Sequence, residues 1–404
     1  MMRFKLDFLE NIFWEIITLN ILIVGNGFDL AHGLQTTYID FLEFAKTFKN
    51  YAETNLDRHM TKSELNTEFN VVHFVLSSCG KKEKIFNELK ETLIDNIWIE
   101  YFECIYQRRK DKGKNGWIDF ENEISQVIQT IDKIRCELQK NKLNEDIKNN
   151  LLTSDKQIIS YLGFEIDNSF IENMETRKRN LLKDLNRLIR GLEIYLSYYI
   201  ERVNPETRLF EIESLDIQKV LSFNYTDTYQ RLYEREKTVE YDYIHGKVNL
   251  DSNVDNCNLI LGIDEYLKKD DRGVDNEFIE FKKFYQRIYK KTGCKYVDWV
   301  KEIERQKKIY TGSNAIKNNV YIIGHSLDVT DGDVLTALIN MSNTSTTIFY
   351  HNHEAMGKQI CNLVKILGEE ELIARVHGSD ATIVFKEQKI TRVTRRLPLS
   401  TKLG

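Results

Sequence analysis

The stretch Ile21-Leu22-Ile23-Val24-Gly25-Asn26-Gly27-Phe28-Asp29 joins an aliphatic run to a turn that contains two glycines. A short apolar run of this kind predicts a strand that is buried on both faces. Glycines directly after such a strand predict a tight turn into a helix. In doubly wound α/β proteins the ends of these strands border the crevice in which ligands bind. The stretch therefore predicts the first strand of an α/β sheet and one wall of a binding site.

Other strand-like runs return only after residue 215. They cover residues 219–223, 241–244, 259–261, 320–323, 347–350 and 381–385. Helical patterns separate several of them, at 227–235, 277–306, 331–341 and 354–367. Strands that alternate with helices imply right-handed crossovers and a mostly parallel sheet. We therefore predict a doubly wound, Rossmann-like α/β domain that is built from residues 19–50 and 216–390.

The segment between these two parts, residues 51–215, has a different pattern. Apolar residues recur three and four positions apart, as at Ile85, Leu89 and Leu93 and again at Leu181 and Leu185. This spacing indicates amphipathic helices, so we expect a large inserted α-helical bundle. Residues 1–18 predict an amphipathic N-terminal helix that covers its own domain, and residues 391–404 predict a solvated basic tail.

Composition excludes several classes of protein. The chain has 404 residues and a net charge of −5, which gives no overall attraction to nucleic acid or to anionic membranes. Its six cysteines are scattered singly, which argues against structural zinc and favours reduced thiols. No apolar stretch is long enough to span a bilayer and no signal peptide is evident. We expect a cytoplasmic protein that does not bind membranes.

The first candidate site is the loop of Gly25, Asn26 and Gly27 with Asp29 after it. Glycines let backbone N–H groups approach a phosphate, but a plain structural turn fits this loop equally well. The full dinucleotide fingerprint fails, because its third glycine position holds Leu30. A carboxylate here would repel pyrophosphate, so Asp29 is expected to bind a ribose hydroxyl or to cap the helix.

Two further strand ends carry polar side chains. Asn224 follows the strand at 219–223, and its amide can hold a ribose hydroxyl or a water molecule. His245 follows the strand at 241–244, and histidine is the side chain best suited to proton transfer near neutral pH. Taken singly, each is more typical of a structural residue. Their combination at neighbouring strand ends favours a site.

A third strand end reads Gly324-His325-Ser326-Leu327-Asp328. It is similar to the nucleophile elbow of α/β-hydrolases, but that motif needs glycine where Asp328 stands. A hydrolase therefore stays a minor alternative, and Gly324, Ser326 and Asp328 can equally face the ribose or adenine of a ligand. The sequence has no P-loop and no H-E-x-x-H motif, and no metal is expected.

Together these motifs resemble the AbiH-type bacteriophage abortive infection family, and the resemblance covers almost the whole chain. They are Ile-Val-Gly-Asn-Gly-Phe-Asp-Leu-Ala-His-Gly-Leu (residues 23–34) with Thr37, Tyr38, Asp40 and Phe41, Phe-Asn-Tyr-Thr (223–226), Ile-His-Gly (244–246) and Gly-His-Ser-Leu-Asp (324–328). The resemblance implies a bacterial antiphage protein. It implies no particular reaction.

The order of motifs is also similar to the sirtuin-like superfamily, in which an Asn and a His act on the N-glycosidic bond of NAD. That resemblance implies that Gly25, Gly27 and Asp29 line NAD, that Asn224 holds the ribose or the attacking water, and that His245 is the general base. Thr226 takes a position that is often Asp in relatives. The zinc ribbon of deacetylating sirtuins is absent, so protein deacetylation is not implied.

The leading hypothesis is an effector that hydrolyses NAD, as a substrate, to nicotinamide and ADP-ribose after a phage trigger. The transition state for this cleavage needs a positioned amide, a base and a dry pocket. The helical insertion can supply the cover, and its residues 117–121 are a candidate contact segment or an ordinary helix start.

A non-catalytic module that senses a nucleotide or a phage component is the alternative. A nuclease or nucleic-acid binder is a minor third option, suggested by the basic residues at 108–114, although such a run is usually just solvated. Self-association fits a regulated effector.

Overall fold

A computed structural model of the chain describes most of its residues. The described residues are 18–57, 69–78, 82–111, 118–140, 144–167, 169–205, 207–234, 238–263, 277–309, 317–379 and 381–392. Almost all of the predicted N-terminal helix at 1–18 and of the predicted tail at 391–404 therefore lies outside them. Within the described residues, no helix combines the length and the apolar character that crossing a membrane requires.

The central feature is a sheet of six parallel strands. In chain order the strands of the molecule are β1 (Asn20–Val24), β2 (Thr207–Leu209), β3 (Lys219–Ser222), β4 (Glu240–Tyr243), β5 (Asn318–Ile323), β6 (Thr344–Tyr350), β7 (Ile383–Glu387) and β8 (Ile390–Arg392). The large sheet has the order β4-β3-β1-β5-β6-β7, and every neighbouring pair in it is parallel. The strand order reverses beside β1. The predicted α/β class with a mostly parallel sheet is confirmed.

The position of β1 inside the sheet explains why its sequence is aliphatic at consecutive positions. Ile21 and Ile23 pack into the apolar core on one face of the sheet, which includes Trp299. Leu22 and Val24 pack into the core on the other face, together with Phe28. Because helices cover both faces, both sets of alternating side chains are buried. The run of four aliphatic residues is the signature of this position.

Helices surround the sheet and also form a separate core of their own. Their bounds are α1 Asn26–Ala31, α2 Tyr38–Asp57, α3 Asn70–Ser77, α4 Lys82–Leu93, α5 Ile97–Asp111, α6 Phe120–Gln139, α7 Asn144–Asn150, α8 Thr153–Tyr161, α9 Ser169–Glu172, α10 Met174–Tyr198, α11 Phe210–Glu213, α12 Thr228–Tyr233, α13 Lys283–Lys290, α14 Tyr296–Ile309, α15 Gly332–Ile339, α16 His353–Leu367 and α17 Glu369–His377. Short 3₁₀ helices cover Ile200–Arg202, Ile279–Phe281 and Val329–Asp331. Helices α2 to α10 lie in the chain between β1 and β3, which are neighbours in the sheet. The division into domains stays a prediction.

Two predicted elements were wrong. Residues 259–261 are buried but form no strand, because side chains take over their backbone hydrogen bonds: Gln286 binds both the N–H and the carbonyl of Leu261, and Lys290 donates to the carbonyl of Leu259. The helix predicted at 277–306 is divided into α13 and α14. The break between them contains Lys291 and Gly293, which both have positive φ angles.

The antiparallel pair of β2 and β8 was not predicted. Each strand has only three residues, and so short a segment carries too little alternation to be recognised in sequence.

Candidate functional site

The ends of four neighbouring strands meet at one edge of the sheet. Strands β4, β3, β1 and β5 lie side by side in that order and run parallel. The residues that follow them therefore share the carboxyl edge, as the sequence predicted. They are the glycine loop after β1, Asn224 after β3, His245 after β4 and the Gly324 loop after β5.

The glycine loop is in direct backbone contact with the Gly324 loop. The N–H of Gly27 donates to the carbonyl oxygen of Gly324 at 2.8 Å. A Cβ atom added to either Gly25 or Gly27 would lie 2.8 Å from that same oxygen. Gly324 itself has a φ of 66°, and a Cβ there would lie 1.9 Å from the backbone nitrogen of Phe28. These glycines therefore allow two loops to touch, and their contact with a phosphate stays a prediction.

Asn224 lies in a group of polar residues beside this loop, which we call the Asp29 group: Asp29, Asn224, Thr226 and Thr228. The Asn224 amide donates to the carbonyl of Gly25 at 2.9 Å. The Thr226 hydroxyl donates to Asp29 Oδ2 at 2.6 Å, and Thr228 donates to Thr226 at 3.2 Å. The group therefore fixes the glycine loop and the start of α1 against the end of β3.

Asp29 is an incompletely paired carboxylate. It is 1% exposed, and its Oδ1 atom has no hydrogen-bond partner among the described residues. A cavity of about 10 Å³ adjoins it, close to the space that one water molecule needs. Burial raises the pKa of Asp29 to about 6, although hydrogen bonds from Thr226 and Thr228 and the charge of Arg231 partly oppose the rise. The carboxyl therefore titrates close to neutral pH.

His32, at the end of α1, is held in its neutral form. Its Nδ1 atom donates to the carbonyl of Phe28 at 2.6 Å, and its Nε2 atom accepts from the hydroxyl of Tyr233 at 2.6 Å. The side chain is fully buried, and this burial lowers the pKa of His32 to about 4. This histidine thus fastens α1 to α12, which gives the first motif a structural role.

His245 lies in a second group, the Asp331 group: Glu121, His245, Lys283, His325 and Asp331. Both histidines approach the carboxylate of Asp331. The distance from His245 Nε2 to Asp331 Oδ1 is 3.5 Å, and that from His325 Nε2 to Asp331 Oδ2 is 3.3 Å. Lys283 Nζ lies 3.9 Å from Asp331 Oδ1 and 2.7 Å from Glu121 Oε2.

The hydrogen bonds fix which ring nitrogen of His325 carries its proton. The backbone N–H of Leu327 donates to His325 Nδ1 at 2.9 Å, so Nδ1 acts as an acceptor. The proton is therefore on Nε2, which faces Asp331. Leu327 adopts a φ of 57°, a strained conformation for a bulky residue, and its buried side chain holds the turn in place.

Asp331 is ionised even though it is buried. Burial alone would raise its pKa, but hydrogen bonds from His245 and His325 and the positive charge of Lys283 lower the pKa well below the usual range of an aspartate. No described residue hydrogen-bonds Nδ1 of His245. A carboxylate that orients an imidazole while leaving its other nitrogen unoccupied is the arrangement that general-base catalysis needs.

The remaining predicted site residues lie closer to the surface. Asn26 is exposed and its side chain accepts from Thr36. Ser326 and Asp328 are also exposed, and Asp328 accepts from the N–H of Thr330 at the start of the Val329–Asp331 helix. Contact of these three residues with a ligand stays a prediction.

The structure therefore divides the predicted site residues between two groups. Asn224 and Thr226 join Asp29, whereas His245 joins Asp331. Across the described ranges, no hydrogen bond, ion pair or ring contact connects Asn224 with His245. Phe223 lies between the groups, and its ring packs 5.6 Å from that of His245.

Sequence reasoning missed His325, Lys283 and Asp331. A signal existed for His325, because it follows a strand and adjoins a glycine just as His245 does. Glu121 belonged to the candidate contact segment at 117–121, in which Asp119 also caps α6. Lys283 and Glu121 are far apart in the sequence, so their pairing leaves no local pattern.

The fold and these two groups define an α/β protein with buried, charged residues at the carboxyl edge of a parallel sheet. A family model described as "Bacteriophage abortive infection AbiH" matches residues 21–352, and the chain belongs to that family. The matched range begins in β1 and ends just after β6, so it includes both groups. No curated protein matches the chain.

Proposed function

We propose that this member of the AbiH family is an antiphage effector that hydrolyses NAD to nicotinamide and ADP-ribose. His245 is the general base in this proposal, and Asp331 orients it. The observation that carries the proposal is the contact of His245 with an ionised, buried carboxylate at the carboxyl edge of the sheet. The strand order, with its reversal beside β1, supports the proposal because it is the order of dinucleotide-binding folds.

Asn224 has a defined part in this reaction. Its Nδ2 atom is engaged with Gly25, while its Oδ1 atom accepts no hydrogen bond from a described residue. An amide oxygen held in this way can accept a hydrogen bond from a ribose hydroxyl. Gly25, Gly27, Asp29, Thr226, Gly324, Ser326 and Asp328 form the proposed surroundings of the NAD.

The test is the release of nicotinamide by the purified protein. We expect hydrolysis of NAD when the protein is incubated with it in the presence of phage lysate, and loss of this hydrolysis in His245→Ala. The protein must also be assayed without lysate, because a trigger is part of the proposal. Absence of nicotinamide under both conditions would contradict it.

A sensing module without turnover is the second candidate function. The separation of Asn224 and His245 into two groups favours it, since among the described residues no contact joins the two side chains that the reaction would use together. A sensor keeps its antiphage effect in His245→Ala if the variant still binds the nucleotide. Calorimetric titration of NAD and a phage plating assay on the same variant therefore separate the two functions.

A further inference from the structure

Lys283 connects Glu121, on a helix between β1 and β3, to Asp331. Its ammonium group lies between two carboxylates, Glu121 on α6 and Asp331 at the end of the Val329–Asp331 helix. Only 7% of the Lys283 side chain is exposed. An ammonium group so far from water needs anionic partners, so both carboxylates contribute to holding it in place.

The position of Lys283 gives it influence over His245. Lys283 Nζ and His245 Nε2 approach the same oxygen of Asp331, Oδ1, at 3.9 Å and 3.5 Å. The other oxygen, Oδ2, faces His325. A positive charge beside Oδ1 weakens the attraction of this carboxylate for a proton on His245. Glu121 holds that positive charge and adds a negative charge of its own.

We propose that Lys283 is a positioning residue that links Glu121 to Asp331 and thereby sets how readily His245 takes up a proton. This role rests on the proposed function, in which His245 is the base. The Glu121–Lys283 ion pair is the contact through which Glu121, on α6, acts on the residues at the strand ends.

The groups that surround His245 decide the signs of the expected effects. Asp331 contacts it, Glu121 and Lys283 supply opposite charges, and His325 shares the carboxylate. Tyr225 lies on the remaining side, with its ring centre 6.4 Å from that of His245. Burial raises the pKa of Tyr225, so this side chain stays neutral and adds no charge.

The experiment measures the protonated fraction of His245 at pH 7 by NMR, from the imidazole ¹⁵N resonances of the full chain. The His245→Gln variant assigns these resonances, because those of His245 are missing from its spectrum. In Glu121→Gln a negative charge is lost, and we expect the ratio of protonated to neutral His245 to fall by about threefold. In Lys283→Met a positive charge is lost, and we expect this ratio to rise by about threefold. Opposite changes from the two ends of one ion pair are the diagnostic result.

Glu123→Gln is the matched control. Glu123 is on the same helix and pairs with Arg109, and only 2% of its side chain is exposed. The variant therefore breaks a buried ion pair of the same type without changing the charges beside Asp331, and it should leave His245 unchanged. Lys283→Arg keeps the charge and should restore the wild-type fraction. Thermal melting establishes that each variant is folded.

A change in the same direction in Glu121→Gln and Lys283→Met would overturn the proposal, because it would indicate loosening of the structure rather than transmission of charge. An unchanged fraction in both would also overturn it. If Lys283→Met does not fold, the sign in Glu121→Gln against Glu123→Gln decides. No step uses NAD, so failure of NAD hydrolysis and failure of this link are separate results.

Discussion

Asp29 and Asp331 are both buried carboxylates at the carboxyl edge of the same sheet, but their surroundings give them opposite properties. Hydroxyl and amide groups surround Asp29, and burial raises its pKa to about 6. Two histidines and a lysine surround Asp331, and they outweigh burial and lower its pKa. Partners, rather than depth, decide whether a buried carboxylate carries a charge. Asp331 is therefore equipped to orient a base, while Asp29 holds a loop.

The largest expected effect is that of Asp331→Asn on NAD hydrolysis. Asparagine keeps the size of the side chain but cannot carry the charge that orients His245. We expect kcat to fall by about 100-fold or more, the usual contribution of general-base catalysis. Steady-state release of nicotinamide measures it, and a melting curve confirms folding. A kcat within about threefold of the wild-type value would show that Asp331 does not serve the base.

Asp29→Asn should change the pH dependence of stability. The folded protein holds the Asp29 proton more tightly than the unfolded chain does, because its pKa rises from 3.8 to about 6. This carboxyl therefore lowers the free energy of unfolding as the pH rises through that window, by about 3 kcal/mol in total. The variant lacks the penalty, so its stability relative to the wild type should increase between pH 4 and pH 7.

His32 also contributes to the pH dependence of stability. Its pKa is lowered from 6.5 to about 4, so the stability it contributes is complete above pH 6.5 and is lost as the pH falls toward 4. In the wild-type protein Asp29 and His32 oppose each other over this range. Urea unfolding of Asp29→Asn should consequently show a steeper loss of stability in acid than the wild type. Equal slopes for the two proteins would contradict the assigned state of Asp29.

Gly27→Ala tests the backbone contact between the glycine loop and the Gly324 loop. The added methyl group would lie 2.8 Å from the carbonyl oxygen of Gly324, so we expect a loss of about 1–3 kcal/mol of unfolding free energy. Gly357→Ala is the control, because nothing lies within 4 Å of its Cβ position on exposed helix α16. That variant should gain about 0.5–1 kcal/mol. A neutral Gly27→Ala would mean that the loops have room between them, as a phosphate site requires.

The smallest effects are expected for Ser326→Ala and Asp328→Ala. Both side chains are exposed, and the cap that Asp328 provides to the 3₁₀ helix contributes about 0.5–1 kcal/mol. If they contact the ribose or adenine, KM for NAD should rise by a few-fold while kcat is unchanged. Initial rates over a range of NAD concentrations give both constants. A fall in kcat alone would place these residues with Asp331 instead.

Much of the fold and part of the site could be predicted from the sequence, for identifiable reasons. Strand β1 was recognisable because burial on both faces leaves an uninterrupted aliphatic run at residues 21–24. Residues 259–261 looked equally strand-like, yet the side chains of Gln286 and Lys290 replace the sheet hydrogen bonds there. Apolar burial is thus visible in sequence, but the partner of a backbone group is not.

The site likewise has features that are visible in the sequence and contacts that are not. His245 and Asn224 could be singled out because strand ends are visible in sequence. Their separation into two groups could not, since it depends on tertiary contacts, of Asn224 with Gly25 and of His245 with Asp331. Asp331 was hidden for a related reason: its two histidine partners follow other strands, β4 and β5, and no local pattern records these contacts.

The most direct measurement compares NAD and nicotinamide in infected cells that carry either the wild-type protein or His245→Ala. We expect infection to deplete NAD and to release nicotinamide in cells with the wild-type protein, while cells with the variant keep their NAD and lose protection. NAD that stays at the same level in both strains, with phage growth still blocked, would contradict a role for His245 and Asp331 in NAD hydrolysis.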